Sequence, residues 1–183
     1  VIELPVTTDG VVDLATAKAL ITEDTLLVAV QYANNETGVI QPIQQLTELA
    51  HRQGALMHCD AVQGLGKATL NISELEVDSA SFSAHKIHGP KGVGALYLNH
   101  GVCHWPFALP LQGGGQEKQV RPGTLNVPGI VGFGVAADLI YQNLPERLKY
   151  MRHLCDILEE SLYDNFLGCI IHGSSVPRIA NTT

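Results

Sequence analysis

Short runs of strand-like sequence that alternate with helical patterns constrain the fold of this chain more than any other feature. Four such runs are predicted to be strands, at residues 26–32, 55–59, 79–83 and 94–98. Helical patterns occupy residues 13–21, with Asp13 as the predicted N-cap, and residues 42–53, with Pro42 predicted in the first turn. Buried strands that alternate with helices are typical of an open α/β sheet. We therefore predict an α/β fold with a mostly parallel sheet.

Alternating hydrophobicity, helical period and breaker residues predict the remaining elements. Residues 2–6 and 169–172 are predicted to be strands, and residues 130–142 and 147–166 to be helices. Pro145 is expected to end the first of these helices. The step at Asn143, Leu144 and Pro145 is therefore the best predicted domain boundary.

Polar side chains follow three of the predicted strands. Asn35, Asp60 and Lys86 each come shortly after the end of a strand. In open α/β sheets, ligands bind outside the carboxyl ends of the strands. We therefore expect these three groups to converge on one edge of the sheet.

Lys86 lies in the segment Ser83-Ala84-His85-Lys86-Ile87-His88-Gly89. A lysine that forms an imine with an aldehyde cofactor must lose its proton near neutral pH, which partial burial and nearby positive groups favour. A lone lysine is usually a solvated surface group. The flanking serine, histidine and glycines favour a functional role here.

Asp60 and Gln63 are suited to the rest of a pyridoxal phosphate site. A carboxylate against the ring nitrogen keeps that nitrogen protonated, and Asp60 ends an apolar strand where it can take this place. Gln63 follows three residues later and can reach the phenolic oxygen. The spacing Asp-x-x-Gln alone is a weak signal, and an ordinary turn aspartate is the alternative.

Two loops carry candidate phosphate contacts. Ser83 and His85 can donate to a phosphate together with backbone N–H groups of their turn. Thr124 is a second candidate, in a glycine-rich polar loop that also holds Arg121 and Gly123. Ordinary turn chemistry is the alternative for both loops.

His58, Cys59 and Asp60 are residue types that also bind metals. On a strand, His58 and Asp60 share one face while Cys59 points to the other. No set of residues has the spacing of a tetrahedral zinc site, so we predict no metal. Cys59 is interpreted as a small core residue.

Composition limits the partners of the chain. Its 183 residues suffice for one domain or slightly more, and 45% of them are hydrophobic, which is enough for a core. A net charge of −7 and a charged fraction of 16% argue against a nucleic-acid or membrane surface. The four cysteines show no CxxC spacing, and we expect reduced thiols in a cytoplasmic protein.

Five motifs occur in order along the chain. They are Asn34-Asn35-Glu36-Thr37-Gly38, His58-Cys59-Asp60-Ala61-Val62-Gln63, Ser83-Ala84-His85-Lys86-Ile87-His88-Gly89, Gly113-Gly114-Gly115-Gln116-Glu117 and Arg121-Pro122-Gly123-Thr124. Together they resemble the cysteine desulfurases of the NifS and IscS type, in the class V group of fold-type I pyridoxal phosphate enzymes. The resemblance covers essentially the whole chain. It implies a three-layer large domain at residues 1–144 and the beginning of a small C-terminal domain at residues 145–183.

The resemblance implies a role for the residues around the cofactor ring. Lys86 resembles the lysine that binds pyridoxal 5'-phosphate covalently and then acts as acid and base. Asp60 corresponds to the partner of the ring nitrogen and Gln63 to the contact of the phenolic oxygen. Asn35 corresponds to a residue that contacts the ring substituents.

The resemblance also implies phosphate contacts, a partner and a reaction. Ser83 and His85 correspond to phosphate contacts, and Thr124 to a residue that reaches the phosphate of the neighbouring subunit, which implies a homodimer. In the family, L-cysteine loses its sulfur to an enzyme thiol as a persulfide and leaves as L-alanine. A sulfur-acceptor protein then takes the sulfur.

Two departures from the family shape the expected activity. Family members carry an upstream phosphate loop and a downstream mobile loop with the persulfide-forming cysteine, so we expect the 183-residue chain alone to be inactive. Ala84 replaces the glycine usual between the serine and histidine of the lysine motif, which we expect to be tolerated. A selenocysteine lyase, another class V aminotransferase-like enzyme and a non-catalytic truncated module are the alternatives.

Overall fold

A computed structural model of the chain describes residues 1–99 and 111–183. Within these ranges, four strands form one sheet in the order β1-β2-β3-β4: β1 Leu27–Gln31, β2 Leu56–Asp60, β3 Ser79–Ser83 and β4 Gly94–Leu98. Strands β1, β2 and β3 are parallel, and β4 is antiparallel to β3. The predicted α/β fold with a mostly parallel sheet is confirmed, and all four predicted strands are present.

Five α-helices accompany the sheet in the described ranges. They are α1 Leu14–Leu20, α2 Ile43–Arg52, α3 Ile72–Leu75, α4 Val127–Gln142 and α5 Leu144–Asn165. Helix α2 packs against β1 and β2, and α1 and α3 pack against α2. Helix α4 contacts the 3₁₀ turn Ala84–Ile87, which directly follows β3.

The core lies where α2 covers the sheet. Leu46 of α2, Met57 and Cys59 of β2 and Ala80 of β3 are fully buried in one hydrophobic cluster. Ile179, close to the end of the chain, belongs to the same cluster. The C-terminal segment thus packs against the sheet domain, while the division into residues 1–144 and 145–183 stays a prediction.

Residues 2–6 do not form a strand, contrary to the prediction. Only Val6 pairs, with Val12, as an isolated antiparallel bridge. Pro5 has no N–H to donate to a ladder, and its carbonyl accepts from Asp13 at 2.9 Å instead. Directly after this segment the chain turns back, where the N–H of Gly10 donates to the carbonyl of Thr7 at 2.9 Å.

The predicted strand at residues 169–172 is also wrong. Gly168 and Gly173, with φ of 80° and 71°, turn the chain on both sides of this short segment. The chain pairs only further on, where Arg178 forms an antiparallel bridge with Val39. The apolar residues Ile170 and Ile171 had suggested a strand that the flanking turns exclude.

The two prolines near helix ends lie differently from the predictions. Pro42 is the N-cap residue of α2 and precedes its first turn. Pro145 lies in the first turn of α5 and does not end α4, which stops at Gln142 with Asn143 as its C-cap. Proline fits a first helical turn because no N–H is needed there.

Helix α3 was missed from the sequence. It has one turn, and its N-cap Asn71 accepts a hydrogen bond from the N–H of Ser73 at 3.1 Å. The Asn71 side chain also donates to Glu74 at 2.7 Å. The spacing Asn-x-x-Glu at residues 71–74 is the signal that predicts this start.

No helix in the described parts of the chain combines the length and the apolar character that a membrane crossing requires.

Candidate functional site

The carboxyl ends of β1, β2 and β3 meet at one edge of the sheet. Gln31 pairs with Asp60, and Asp60 pairs with Ser81, so the three strands end side by side. The pairing continues past the strand ends, because the N–H of Tyr32 donates to the carbonyl of Asp60 at 2.7 Å. The N–H of Ala61 likewise donates to the carbonyl of Ser81 at 3.1 Å. This edge is where the sequence predicted a ligand.

Asn35 lies in the loop that leaves this edge after β1, and its side chain is exposed. A bridge between Ala33 and Ile40 closes the loop. Inside it, Oδ1 of Asn34 accepts from the N–H groups of Glu36 at 2.8 Å and Thr37 at 3.0 Å. The loop is therefore preorganised, and it presents Asn35 to solvent at the predicted edge.

Asp60 is exposed at the end of β2, whereas its neighbour Cys59 is fully buried. One carboxylate oxygen of Asp60 accepts from the N–H of Val62 at 3.1 Å, as in an aspartate turn. Burial, with a smaller effect of the Asp60 charge, raises the pKa of the Cys59 thiol to about 12. Cys59 is thus a neutral core residue, as the alternation along the strand predicted.

His58 shares the face of Asp60 but binds its neighbouring strand. Its Nδ1 lies 2.8 Å from the hydroxyl of Ser79. Burial lowers the pKa of His58, and the Asp60 charge opposes this effect only in part. In residues 1–99 and 111–183, no three His, Cys, Asp or Glu side chains group together in a way that could hold a metal.

Lys86 lies in the 3₁₀ turn that follows β3, and its side chain is half-buried. The buried side chains of Ala84 and Ile87 anchor this turn. The carbonyl of Ala84 accepts from Gly89 at 2.9 Å, and His88 adopts a left-handed conformation with φ of 66°. The methyl group of Ala84, which replaces the usual glycine, is accommodated in the core.

Gly89 is required by the same turn. A Cβ at this position would lie 2.9 Å from the carbonyl oxygen of Ala84 and 3.1 Å from its Cβ. The first distance involves backbone, which cannot give way without moving the turn that carries Lys86. The lack of space beside Ala84 therefore explains why this position of the motif is a glycine.

Ser83 and His85 form a pair beside Lys86. The Ser83 hydroxyl lies 2.8 Å from Nδ1 of His85, and His85 is exposed. The structure thus places these two predicted phosphate contacts next to each other on the turn that carries the lysine. Their role toward a phosphate stays a prediction.

Gln63 lies in the turn after Asp60, and its amide oxygen accepts a hydrogen bond from the ammonium group of Lys67. Burial, followed by the positive charge of Lys86, lowers the pKa of Lys67. Lys67 thus contacts Gln63 and is affected by the charge of Lys86. Sequence reasoning missed this residue, although four-residue spacing within one turn is a signal for such a contact.

Thr124 is not joined to the other candidates by these contacts. It is exposed, and its carbonyl oxygen lies 3.5 Å from the Arg121 guanidinium, which also contacts the carbonyl of Gly123 at 3.3 Å. In the described residues, no hydrogen bond of the Thr124 side chain reaches the turn of Lys86. Its predicted role toward a neighbouring subunit stays a prediction.

The side chains at this edge fit the groups of pyridoxal phosphate. An exposed carboxylate, Asp60, suits a protonated ring nitrogen, and the Gln63 amide has its oxygen engaged, which leaves its NH₂ group to donate. The amine of Lys86 would suit the aldehyde carbon. The hydroxyl of Ser83 and the imidazole of His85, which lie 2.8 Å apart, would suit the phosphate.

Known proteins match this chain over most of its length. The family Aminotransferase class-V matches residues 1–176. A curated cysteine desulfurase of Sinorhizobium fredii is 42% identical over 181 residues, which cover 99% of this chain and 46% of the relative. A cysteine desulfurase of Klebsiella pneumoniae is 43% identical over 179 residues, which cover 98% of this chain and 44% of the relative.

Solved structures of NifS-like proteins also match this chain over most of its length. A NifS-like protein superposes with a TM-score of 0.89 at 42% identity, covering 98% of this chain and 48% of that protein. A NifS-like protein from Rickettsia africae gives a TM-score of 0.89 at 36% identity, covering 97% of this chain and 49% of that protein. This chain therefore spans less than half the length of the relatives it matches. It belongs to the class-V aminotransferase family.

Proposed function

We propose that this chain is the cofactor-binding part of a pyridoxal phosphate-dependent cysteine desulfurase, which converts L-cysteine to L-alanine and passes the sulfur to a thiol of the enzyme. The observation that carries the proposal is the placement of Asp60 and Lys86. Adjacent parallel strands bring the carboxylate and the amine to one edge of the sheet. The relatives named cysteine desulfurase, at 42% and 43% identity across nearly the whole chain, support this reaction over others of the family.

Each residue at the edge then has a task. When bound, pyridoxal phosphate supplies an electron sink for bond cleavage in the amino-acid substrate. Asp60 would hold the proton on the ring nitrogen, and Gln63 would donate to the phenolic oxygen. Lys86 Nζ would hold the cofactor through its aldehyde carbon and would serve as the acid and base for the substrate. Ser83 and His85 would orient the phosphate.

Cys59 is not the thiol that receives the sulfur. A nucleophilic cysteine needs an exposed thiolate, and Cys59 is fully buried with a pKa of about 12. Cys155 is partly buried and donates to the carbonyl of Ala180 at 3.5 Å. Cys103 lies outside the described residues. We propose that neither Cys59 nor Cys155 is the cysteine that receives the sulfur.

The partners are part of the same proposal. Thr124 is exposed on its loop, as a residue that serves the phosphate of a second subunit of a homodimer must be. A sulfur-acceptor protein, for example in iron–sulfur cluster assembly, would take the persulfide sulfur. We propose a cytoplasmic location because the acidic chain has unpaired thiols at Cys59, Cys155 and Cys169.

The activity of the full-length protein with pyridoxal phosphate tests the proposal. L-Cysteine should yield equal amounts of L-alanine and, in the presence of a reducing thiol, sulfide. Lys86→Ala should reduce both products to background, whereas Lys91→Ala, which changes an exposed lysine of the next turn, should leave them unchanged. Alanine formation that persists in Lys86→Ala, or a wild-type protein that does not consume L-cysteine, would disprove the proposal.

A further inference from the structure

Lys67 makes a contact that the proposed cofactor roles do not explain. Its ammonium group donates a hydrogen bond to Oε1 of Gln63, four residues earlier. An ammonium group only donates, so its partner must be the oxygen end of the amide. The contact thereby fixes the orientation of the Gln63 side chain and leaves the NH₂ group as the end that can donate elsewhere.

Packing at Gly66 and a backbone hydrogen bond of Lys67 fix the position of the loop that carries Lys67. Gly66 has a φ of 72°, and a Cβ there would lie 3.0 Å from Ile140 of α4 and 3.3 Å from Ile87. The carbonyl of Lys67 accepts from the N–H of Ala180 at 3.0 Å. The loop is therefore packed between α4, the turn that carries Lys86 and the C-terminal segment, so that the position of Lys67 is well defined.

Lys67 is also affected by the charge of Lys86, the amine that is proposed to bind the cofactor. Burial, and after it the positive charge of Lys86, lowers the pKa of Lys67. Two like charges at a half-buried edge are unfavourable for folding by themselves. Such groups occur preferentially at functional sites, where their electrostatic effect is used.

We propose that Lys67 is a positioning residue of the cofactor site: its hydrogen bond to Oε1 holds the Gln63 amide with the NH₂ group directed at the phenolic oxygen of pyridoxal phosphate. A charged donor on the amide oxygen also polarises the amide, which makes the NH₂ group a stronger donor. This inference rests on the proposed function, because the role of Gln63 does.

The absorbance of the bound cofactor, titrated with pH in the full-length protein, tests this role. A donor on the phenolic oxygen weakens the hold of that oxygen on the proton at Lys86 Nζ, so that loss of the donor raises the midpoint of the titration. Lys67→Met is expected to raise the midpoint by about one pH unit. Lys67→Arg keeps a charged donor and is expected to keep the wild-type midpoint. Lys18→Met, which changes an exposed lysine on α1, is the matched control.

The other titratable groups near Lys86 are unchanged in these variants. They are Asp60 at the end of β2, His85 and His88 on either side of Lys86, and Arg147 of α5, whose guanidinium lies 2.6 Å from Nε2 of His88. A difference between Lys67→Met and wild type is therefore assigned to Lys67. Lys67→Leu, which has no hydrogen-bond donor at this position, should shift the midpoint in the same direction and replaces Lys67→Met if that variant does not fold.

The same substitutions in a Gln63→Leu variant distinguish loss of the contact between Lys67 and Gln63 from loss of the Lys67 charge. In Gln63→Leu, the group through which Lys67 acts is absent, so Lys67→Met should shift the midpoint by less than half as much as in wild type. An undiminished shift in this background, or equal midpoints for Lys67→Met and Lys18→Met, would overturn the proposal. A wild-type protein in which cofactor absorbance does not depend on Lys86 would instead overturn the proposed function.

Discussion

At the scale of single residues, Cys59 and Asp60 show how one strand separates two kinds of chemistry. They are neighbours in β2, yet Cys59 is fully buried in the core and Asp60 is exposed at the sheet edge. Successive side chains of a strand point to opposite faces, so the sequence already predicted this difference. Burial explains why the thiol is inert while the carboxylate is available.

The thiol of Cys59 is therefore expected to resist alkylation. With a pKa of about 12, almost none of it is thiolate at about pH 8, and it is fully buried. Iodoacetamide should label Cys169, which is partly exposed, while leaving Cys59 unlabelled until denaturant is added. Mass spectrometry of the peptides measures both rates. Equal labelling of the two cysteines in the native protein would contradict the pKa and the burial of Cys59.

Gly89→Ala is expected to destabilise the turn of Lys86. Its methyl group would lie 2.9 Å from the carbonyl oxygen of Ala84, so the backbone must shift. We expect a loss of about 1–3 kcal/mol in the free energy of unfolding, measured with denaturant, and weaker cofactor binding. Gly134→Ala is the control, because a Cβ there meets nothing within 4 Å and alanine favours a helix. A Gly89→Ala variant as stable as wild type would show that the turn relaxes freely.

At the scale of elements, the sequence predicted those parts in which local pattern and tertiary packing agree. Strands β3 and β4 have their predicted bounds, and α2, at the predicted helical pattern, buries Ile43, Leu46 and Ala50 on one face. The two wrong strand predictions concern segments in which strand formation depends on pairing with another strand. Residues 2–6 and 169–172 carry strand-like residues, but turns at their ends leave them without a partner strand.

The positions of the candidate site residues were predictable to a similar extent. Asp60 and Lys86 lie where the sequence predicted them because strand ends can be located from the sequence, while their roles toward a cofactor stay a prediction. Lys67 was missed because its side-chain contact depends on how the turn after β2 folds back, which a linear pattern does not specify. The left-handed Gly66 and the packing of Ile140 against it fix that turn.

Helix α1 depends on its N-cap. Oδ1 of Asp13 accepts from the N–H groups of Ala15 at 2.9 Å and Thr16 at 3.2 Å. The hydrogen bond from the Thr16 backbone, followed by that from the Thr16 hydroxyl, lowers the pKa of Asp13 below its ordinary value. The cap therefore stabilises the fold above the ordinary pKa of aspartate and loses its effect as the pH falls through the lowered value.

Asp13→Ala is accordingly expected to lower the melting temperature at neutral pH, and the difference from wild type should disappear in acid. Thermal unfolding followed by circular dichroism at several pH values measures this. Asp24→Ala, in the exposed turn after α1, is the control and should have no effect at any pH. A difference between Asp13→Ala and wild type that persists in strong acid would argue against the cap.

At the scale of the whole molecule, the C-terminal segment fastens α5 to the sheet domain. Arg178 bridges Val39 through its backbone, and its guanidinium, with a side-chain exposure of 6%, lies 2.7 Å from Glu159 of α5. Burial raises the pKa of Glu159, but hydrogen bonds from Thr183 and Arg178 and the Arg178 charge outweigh this, and the pKa is lowered. The ion pair therefore holds over the neutral range and is lost as the pH falls through the lowered pKa.

Arg178→Met is expected to destabilise the protein by roughly 1–3 kcal/mol, because it removes a charged hydrogen bond at 2.7 Å from the partly buried Glu159 and leaves Arg152, at 3.2 Å, as the remaining cation. Arg52→Met breaks an exposed pair with Glu48, at 3.2 Å, and is expected to cost less than about 0.5 kcal/mol. Denaturant unfolding of both variants measures the difference. Similar losses for the two would show that the C-terminal segment does not depend on this contact.

The central claim is that Lys86 binds pyridoxal phosphate at the edge formed by β1, β2 and β3. Incubation of the protein with pyridoxal phosphate, reduction with borohydride and peptide mapping by mass spectrometry test it directly. The account predicts one added pyridoxyl group, on Lys86, which is lost in Lys86→Ala and retained in Lys91→Ala. A label on Lys67 or Lys91 in place of Lys86, or no label at all, would contradict it.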